Sequence, residues 1–160
     1  MTMTIRAAEN RDALAVAELI EEVERFYAAR VKAPEPPLEE RRRDVEEALF
    51  GSPPIASALL AVDGAGGVVA LAAYSFLWPA AWTSHSLFLK ELYIRDAARG
   101  KGLGTRLMRE LRAIAAARPG CSRIEWTSDT GNPDARAFYR SLGFTELEGK
   151  VIYRVDAGVP

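Results

Sequence analysis

Three glycines fall within five residues in the run Arg99-Gly100-Lys101-Gly102-Leu103-Gly104-Thr105, and no other stretch limits the fold so tightly. Ahead of it, Leu87-Phe88-Leu89-Lys90-Glu91-Leu92-Tyr93-Ile94 reads as a strand. Behind it, Leu107, Met108, Leu111, Ile114 and Ala115 recur at helical spacing. Pro119-Gly120 ends that helix by removing a donor and allowing positive φ. A glycine-rich turn that opens a helix is an anion cradle. Its first N–H groups have no intrahelical partner, and aligned peptide dipoles place partial positive charge there. Glycine also lets the main chain approach oxygens that a Cβ would hold away. The implied ligand is a phosphate or pyrophosphate.

Two phosphate-binding patterns fail. The P-loop string G-x-x-x-x-G-K-[ST] is absent. A dinucleotide fingerprint needs G-x-G-x-x-G directly after a strand. Here the glycine spacing differs and Arg95-Asp96-Ala97-Ala98-Arg99 intervenes, although Glu125 falls about where a ribose-binding acid would. A third pattern fits. R-x-x-G-x-G follows a strand, and Asn132-Pro133-Asp134-Ala135-Arg136-Ala137-Phe138-Tyr139-Arg140-Ser141-Leu142-Gly143-Phe144 supplies N-x-x-A-x-x-F-Y-x-x-x-G-F at the right distance. In these two segments the chain resembles the GNAT superfamily of acyl-CoA N-acyltransferases, strongly over residues 87–144 and in element order alone before them.

That resemblance implies one α/β (α+β) acyltransferase domain over residues 1–160. Its mixed central sheet has about seven strands flanked by four helices, in the order β-α-α-β-β-β-α-β-α-β-β. It implies acetyl-CoA as co-substrate and no metal. The cofactor contacts it implies are Leu92, Tyr93 and Ile94, then Arg99, Gly100, Lys101, Gly102, Leu103, Gly104 and Thr105, and finally Asn132, Phe138 and Tyr139. The N–H groups of Leu92 and Ile94 would point at the acyl carbonyl and pantetheine, and those of residues 101–105 at the pyrophosphate. Tyr139 would donate a proton to the departing thiolate; a helix-spaced core aromatic is the plainer alternative. A homodimer is likewise implied.

Charge is distributed to suit this. The net charge of -1 gives no sign of a nucleic-acid binder. Residues 95–123 nevertheless hold eight bases against two acids, while residues 1–50 hold twelve acids against eight bases. A basic turn beside an acidic half suits an anionic cofactor and a cationic acceptor, though solvated helix faces explain most of the charges singly. Cys121 is the only cysteine, so no intrachain disulfide can form and a reducing compartment is expected. Arg6, Glu9 and Arg11 interrupt any signal-peptide core, and the apolar run 68–82 is too short to span a bilayer and contains Pro79. A cytoplasmic protein with no membrane partner is the expectation.

Along the chain, residues 4–6 read as a strand, and Asn10 as the cap of a helix over 11–29 with Val16, Leu19, Ile20, Val23, Phe26 and Tyr27 in one stripe. Pro34, Pro36 and Pro37 precede a helix over 38–50, with Gly51 where positive φ is expected. Strands follow at 55–62 and 68–77 around the turn Asp63-Gly64-Ala65-Gly66-Gly67. An aromatic loop, 78–86, enters the strand before the glycines. Residues 122–127 form the next strand, Asn132 caps a helix with Pro133 at its first position, and 145–147 with 150–155 offer a closing hairpin.

The acceptor chemistry turns on a proton. Making a lysine-type amine neutral at pH 7 costs about 4.6 kcal/mol, and a nearby carboxylate can take that proton directly or through water. Glu91 is the candidate base: simple alternation puts it on one face with Leu89 and Tyr93, an unusual place for a charge unless it lines a cleft. An arginine ion pair or a water-facing edge are the alternatives. Tyr27, Trp82 and Asp129 join Glu91 as candidate acceptor contacts, Asp129 otherwise turning its loop. His85 is the sole histidine, which excludes an imidazole-built metal site.

The strand 87–94 and its preceding aromatic loop look most similar to the spermidine/spermine and thialysine acetyltransferase branch. That branch has a Glu-Asp pair where this chain has Lys90-Glu91, and an acid where it has Tyr27. Acetylation of a small primary amine is therefore the expected activity, with a protein N-terminus or lysine as rival acceptor. A non-catalytic acyl-CoA sensor is the rival from another class.

Overall fold

Continuous apolar runs mark strands buried on both faces, and the second strand is one of them. The computed structural model describes residues 2–27 and 34–158. Strands β1 (Thr4–Ala7), β2 (Ser57–Val62), β3 (Val68–Leu77), β4 (His85–Ile94) and β5 (Cys121–Trp126) form one sheet in chain order. Every pair is antiparallel except β4–β5, which is parallel and connected through helix α3 (Leu103–Ala117). Helices α1 (Ala13–Tyr27) and α2 (Leu38–Phe50) lie between β1 and β2 in sequence, and α4 (Pro133–Ser141) follows β5. The chain divides after Thr127 into two units, the sheet with α1–α3 in the first and α4 with the C-terminal segment in the second.

Each sheet face has its own cover. Val16 and Leu19 of α1 and Val45 of α2 bury against Ala58, Leu60 and Leu71, with Ala73 and Tyr93 packed at the edge of that cluster. Helix α3 packs on β4 and β5 and buries Leu107, Met108 and Leu111, while Leu87 and Leu89 of β4 are also buried. Leu59 and Leu60 are thus both buried although they point to opposite faces. Asp63 closes the β2–β3 turn by accepting from Ala65 N–H and Gly67 N–H.

Four expectations need correction. The sheet has five strands among the described residues, not about seven, and the element order differs at its end. Residues 145–155 form no strand, and Val151, Ile152, Tyr153 and Val155 are exposed. An isolated two-stranded hairpin has too little burial to hold itself in water. The strand expected from residue 55 begins at Ser57. Asn10 does not cap α1; it lies in a 3-10 turn, Asn10–Asp12, entered at Glu9, whose N–H donates to Asp12 Oδ2 at 2.7 Å. The last turn expected through Ala29 lies outside the described residues. Gly51 has φ −64, so positive φ is not its reason; an added Cβ would sit 2.3 Å from the Glu47 carbonyl oxygen. Asn132, by contrast, caps α4 as expected, accepting from Ala135 N–H at 3.1 Å, with Pro133 opening the helix.

Buried Asp12 ties β1 to the entry of α1, taking Arg6 Nη1 at 2.7 Å and Nη2 at 2.9 Å. The Arg6 hydrogen bonds hold its carboxyl below the usual range against the opposing effect of burial, and the Glu9 N–H assists. A depressed folded value means the contribution is present above the unfolded pKa and is lost as pH falls through the folded one. Asp12→Asn should therefore cost about 2 kcal/mol in urea unfolding at pH 7. The difference between the two proteins should shrink steadily below about pH 4.

Candidate active site

The pair Lys90-Glu91 interrupts the apolar pattern of β4, and the backbone records the interruption. Tyr74 faces Leu89 and Ala73 faces Glu91, so Lys90 is an extra residue, a β-bulge. One extra residue flips the alternation. Leu87 and Leu89 before the bulge share a face with Leu92 and Ile94 after it. Glu91 instead shares the opposite face with Phe88 and Tyr93, partnering Ala73 and Leu71 across the ladder. The expectation that Glu91 lies on one face with Leu89 is thereby corrected; its companionship with Tyr93 stands. This is the face that α1 and α2 cover.

That location desolvates the carboxyl. Burial pushes the Glu91 pKa up, and the Lys90 charge and the Leu92 N–H pull back less strongly. Among the described residues Glu91 enters no ion pair, and Lys90 beside it is exposed. A carboxyl with a raised pKa, half-buried and close to an outward N–H, is suited to proton transfer.

The far edge of β4 is open at the same level. Its ladder with β5 stops at Leu89–Trp126, while β4 continues to Ile94. Arg95 N–H donates to Val69 O at 2.9 Å on the β3 side. Alternate residues of an antiparallel strand send their N–H groups to alternate sides, so Ile94 and Leu92 direct theirs away from β3. The Ile94 carbonyl on that side is taken by Arg99 Nε at 2.8 Å. Both N–H groups thus point past the end of the ladder, and that of Leu92 also interacts with the Glu91 carboxyl.

After a short 3-10 turn, Asp96–Ala98, the glycine run follows. Gly100 and Gly102 both have φ +73, and Gly102 is the residue preceding α3. No side chain caps this helix and no acid occupies its first turn, so the amides of Leu103, Gly104 and Thr105 keep their donors for a ligand. A Cβ at Gly100 or Gly102 would meet nothing within 4 Å. That free space above amide donors is what a diphosphate requires, and the fit is good. Lys101 donates Nζ to Ala97 O, and Gly104 is buried against the fold.

The remaining candidates lie on other elements of the chain. Trp82, expected in a pocket wall, is 96% exposed at the tip of the β3–β4 loop with φ 56. Trp78 is also largely exposed, and the side chain of Phe26 lies outside the described residues. Tyr27 is half-buried at the end of α1. His85 accepts from Arg118 Nε at 3.1 Å and packs edge-on against Phe76. In the second unit, Asp129 accepts from Gly131 N–H at 2.7 Å and so shapes its turn. Phe138 and Tyr139 on α4 are half-buried, with ring centroids 5.2 Å apart. No described helix is long and apolar enough to cross a membrane, and no metal-binding group of three His, Cys, Asp or Glu gathers among the described residues.

The chain is similar to known proteins in sequence and in fold. A mouse (Mus musculus) thialysine N-epsilon-acetyltransferase is 29% identical over 92 residues, 56% of this chain and 53% of that protein. An aminoglycoside N(6')-acetyltransferase type 1 of Serratia marcescens is 34% identical over 71 residues, 44% of this chain and 48% of the relative. The chain therefore spans about half the length of the curated relatives it matches. An aminoglycoside N-acetyltransferase solved in complex with CoA superposes with a TM-score of 0.76 over 96% of this chain and 95% of its own, at 19% identity, a likeness of fold. The model of the acetyltransferase (GNAT) family matches residues 16–144, and with the bulged strand and glycine turn in place the chain belongs to that family.

Proposed function

We propose that the protein is an acetyl-CoA-dependent N-acetyltransferase that moves an acetyl group directly onto a primary amine of a small molecule, such as a polyamine, an amino acid or an amine-bearing antibiotic. One observation carries this reading. Along a single strand and its exit come a desolvated carboxyl at Glu91, outward N–H groups at Leu92 and Ile94, and a glycine turn with open space over its amides. Family membership supports acetyl transfer, and the names of two relatives, for thialysine and aminoglycosides, support small amine acceptors.

Acetyl-CoA, when bound, supplies a thioester whose carbonyl carbon accepts the amine nitrogen and whose sulfur leaves as thiolate. The chain's own residues divide the remaining work. Amides of residues 101–105 hold the pyrophosphate. Leu92 and Ile94 donate between them to the acyl carbonyl and the pantetheine arm, and a donor placed where negative charge gathers on the carbonyl oxygen contributes about 2.7–4 kcal/mol in a water-excluded site. Glu91 accepts the proton that the amine loses, and its raised pKa narrows the gap between base and acid. Tyr139 gives the thiolate its proton, the role its motif carries; a phenol is protonated at pH 7 and can donate to sulfur. Asn132 and Phe138 belong to the same cofactor-binding segment. On this reading residues 1–160 work as one acyltransferase domain.

Thiol release from acetyl-CoA across an amine panel is the direct test. Turnover with a small amine is expected. Turnover with peptides alone would make the protein a protein acetyltransferase, and tight CoA binding without turnover would make it a sensor. Glu91→Gln should lower kcat/KM by about 10²–10⁴ with acetyl-CoA affinity retained. Tyr139→Phe should lower kcat more than acetyl-CoA affinity; an unchanged kcat would remove the proton-donor assignment. Gly102→Asn, which accepts positive φ, should leave a folded chain whose CoA binding calorimetry finds greatly weakened, and Gly102→Val should abolish that binding.

The Glu91 substitution should act on stability in the opposite sense. A carboxyl whose folded pKa is raised by burial stabilises the fold only below its unfolded pKa, and that contribution is lost as pH rises through the folded value. Its ionised form is therefore a cost at neutral pH. Glu91→Gln should raise Tm at pH 7 and leave it unchanged below about pH 4. A lower Tm at pH 7 would mean that the charge is compensated in the folded protein.

A further inference from the structure

Helix α1 reaches the end of β4 through one carboxylate. Glu22 Oε1 accepts Arg95 Nη2 at 2.7 Å and Nε at 3.0 Å, while Oε2 accepts the Tyr93 hydroxyl at 3.1 Å. The remaining arm of Arg95 donates to Val68 O at 3.0 Å. Tyr93 in turn offers its ring to Arg99, whose guanidinium carbon lies 5.8 Å from the ring centroid. Arg99 also binds the Ile94 carbonyl and pairs with Asp96 at 2.7 Å. Every charged or aromatic side chain from Tyr93 to Arg99 therefore belongs to one set of contacts anchored on Glu22.

We propose that Glu22 is a positioning residue for the glycine turn, setting through Tyr93, Arg95 and Arg99 the direction in which the Ile94 and turn amides meet an anionic ligand. The inference rests on the reading above in taking that ligand to be the diphosphate of CoA and the pantetheine arm beside it. Replacing the carboxylate by an amide leaves one neutral oxygen to serve both the Tyr93 hydroxyl and the Arg95 guanidinium, which keeps Val68 O at 3.0 Å and has Glu18 only at 4.0 Å. Tyr93 is then free to leave its cation–π contact with Arg99. Arg99 opens the turn and satisfies Ile94 O, so the disturbance arrives at the amides rather than at Glu91. Binding of the cofactor weakens and the chemical step does not.

The effect is separable from a general loss of stability. For Glu22→Gln in the full chain, calorimetry with CoA should show affinity about 5–20-fold weaker, and kinetics a raised KM for acetyl-CoA with kcat within about twofold of wild type. Tyr93→Phe keeps the ring and loses only the hydroxyl bond, and should weaken CoA binding by a smaller factor. In an Arg99→Ala background Glu22→Gln should weaken binding by less than about twofold, because much of its action passes through Arg99. A folded Glu22→Gln protein with wild-type CoA affinity, or effects of Glu22→Gln and Arg99→Ala that multiply, overturns the inference. If Glu22→Gln does not fold, wild-type affinity in Tyr93→Phe overturns it instead. A wild-type protein that binds neither CoA nor inorganic pyrophosphate defeats the functional reading along with this one.

Discussion

The extra residue at Lys90 is the constraint from which the site follows. A regular β4 would carry Glu91 on the same face as Leu87 and Leu89, against the side of the sheet where α3 buries Leu107 and Leu111. An unpaired carboxylate there would be far costlier than any single packing contact. The bulge sends it to the other face, beside Tyr93. The same strand thus packs as core in its first half and presents a carboxyl on the opposite face in its second. With β5 ended at Trp126, the second half keeps one edge of its backbone unspent.

Much of this is legible in the amino-acid sequence alone. The glycine turn was readable because glycine at positive φ and a helix start leave local marks, and both Gly100 and Gly102 adopt such φ. The Asn132-Pro133 start of α4 was readable for the same reason: a cap and a fixed φ act within four residues. What failed was non-local or depended on room. Alternation cannot announce a bulge, although the Lys90-Glu91 pair in an otherwise apolar strand was its only trace. Gly51 looked like a torsional glycine and proved to be a steric one, since the clash is with a carbonyl a helical turn earlier. The closing segment has strand-forming residues, but pairing needs a partner that composition does not name. Glu22 carried no signal at all, being 71 residues from Tyr93 in the chain.

Charge counting gave the right sign and too large a free excess. Of the eight bases between Arg95 and Arg123, Arg95 is bound by Glu22, Arg99 by Asp96, and Arg123 by Glu125. Lys101 spends its ammonium on a backbone carbonyl and Arg106 reaches Met3 O. The positive character of the turn therefore comes less from side chains than from peptide dipoles and uncapped amides. A field built from backbone is already aimed and loses no rotamer freedom when a ligand arrives.

The two kinds of glycine in this chain divide what selection can see. At Gly51 a side chain strikes backbone, so foldedness itself rejects the change. At Gly100 and Gly102 an added Cβ meets nothing within 4 Å, and only the positive φ resists it. A library sorted for soluble expression would retain at those two positions the few residues that accept positive φ, asparagine above all, and a library sorted for growth on acetylating activity would discard them. Divergence between the two sortings would separate what the backbone needs at these positions from what a bound anion needs.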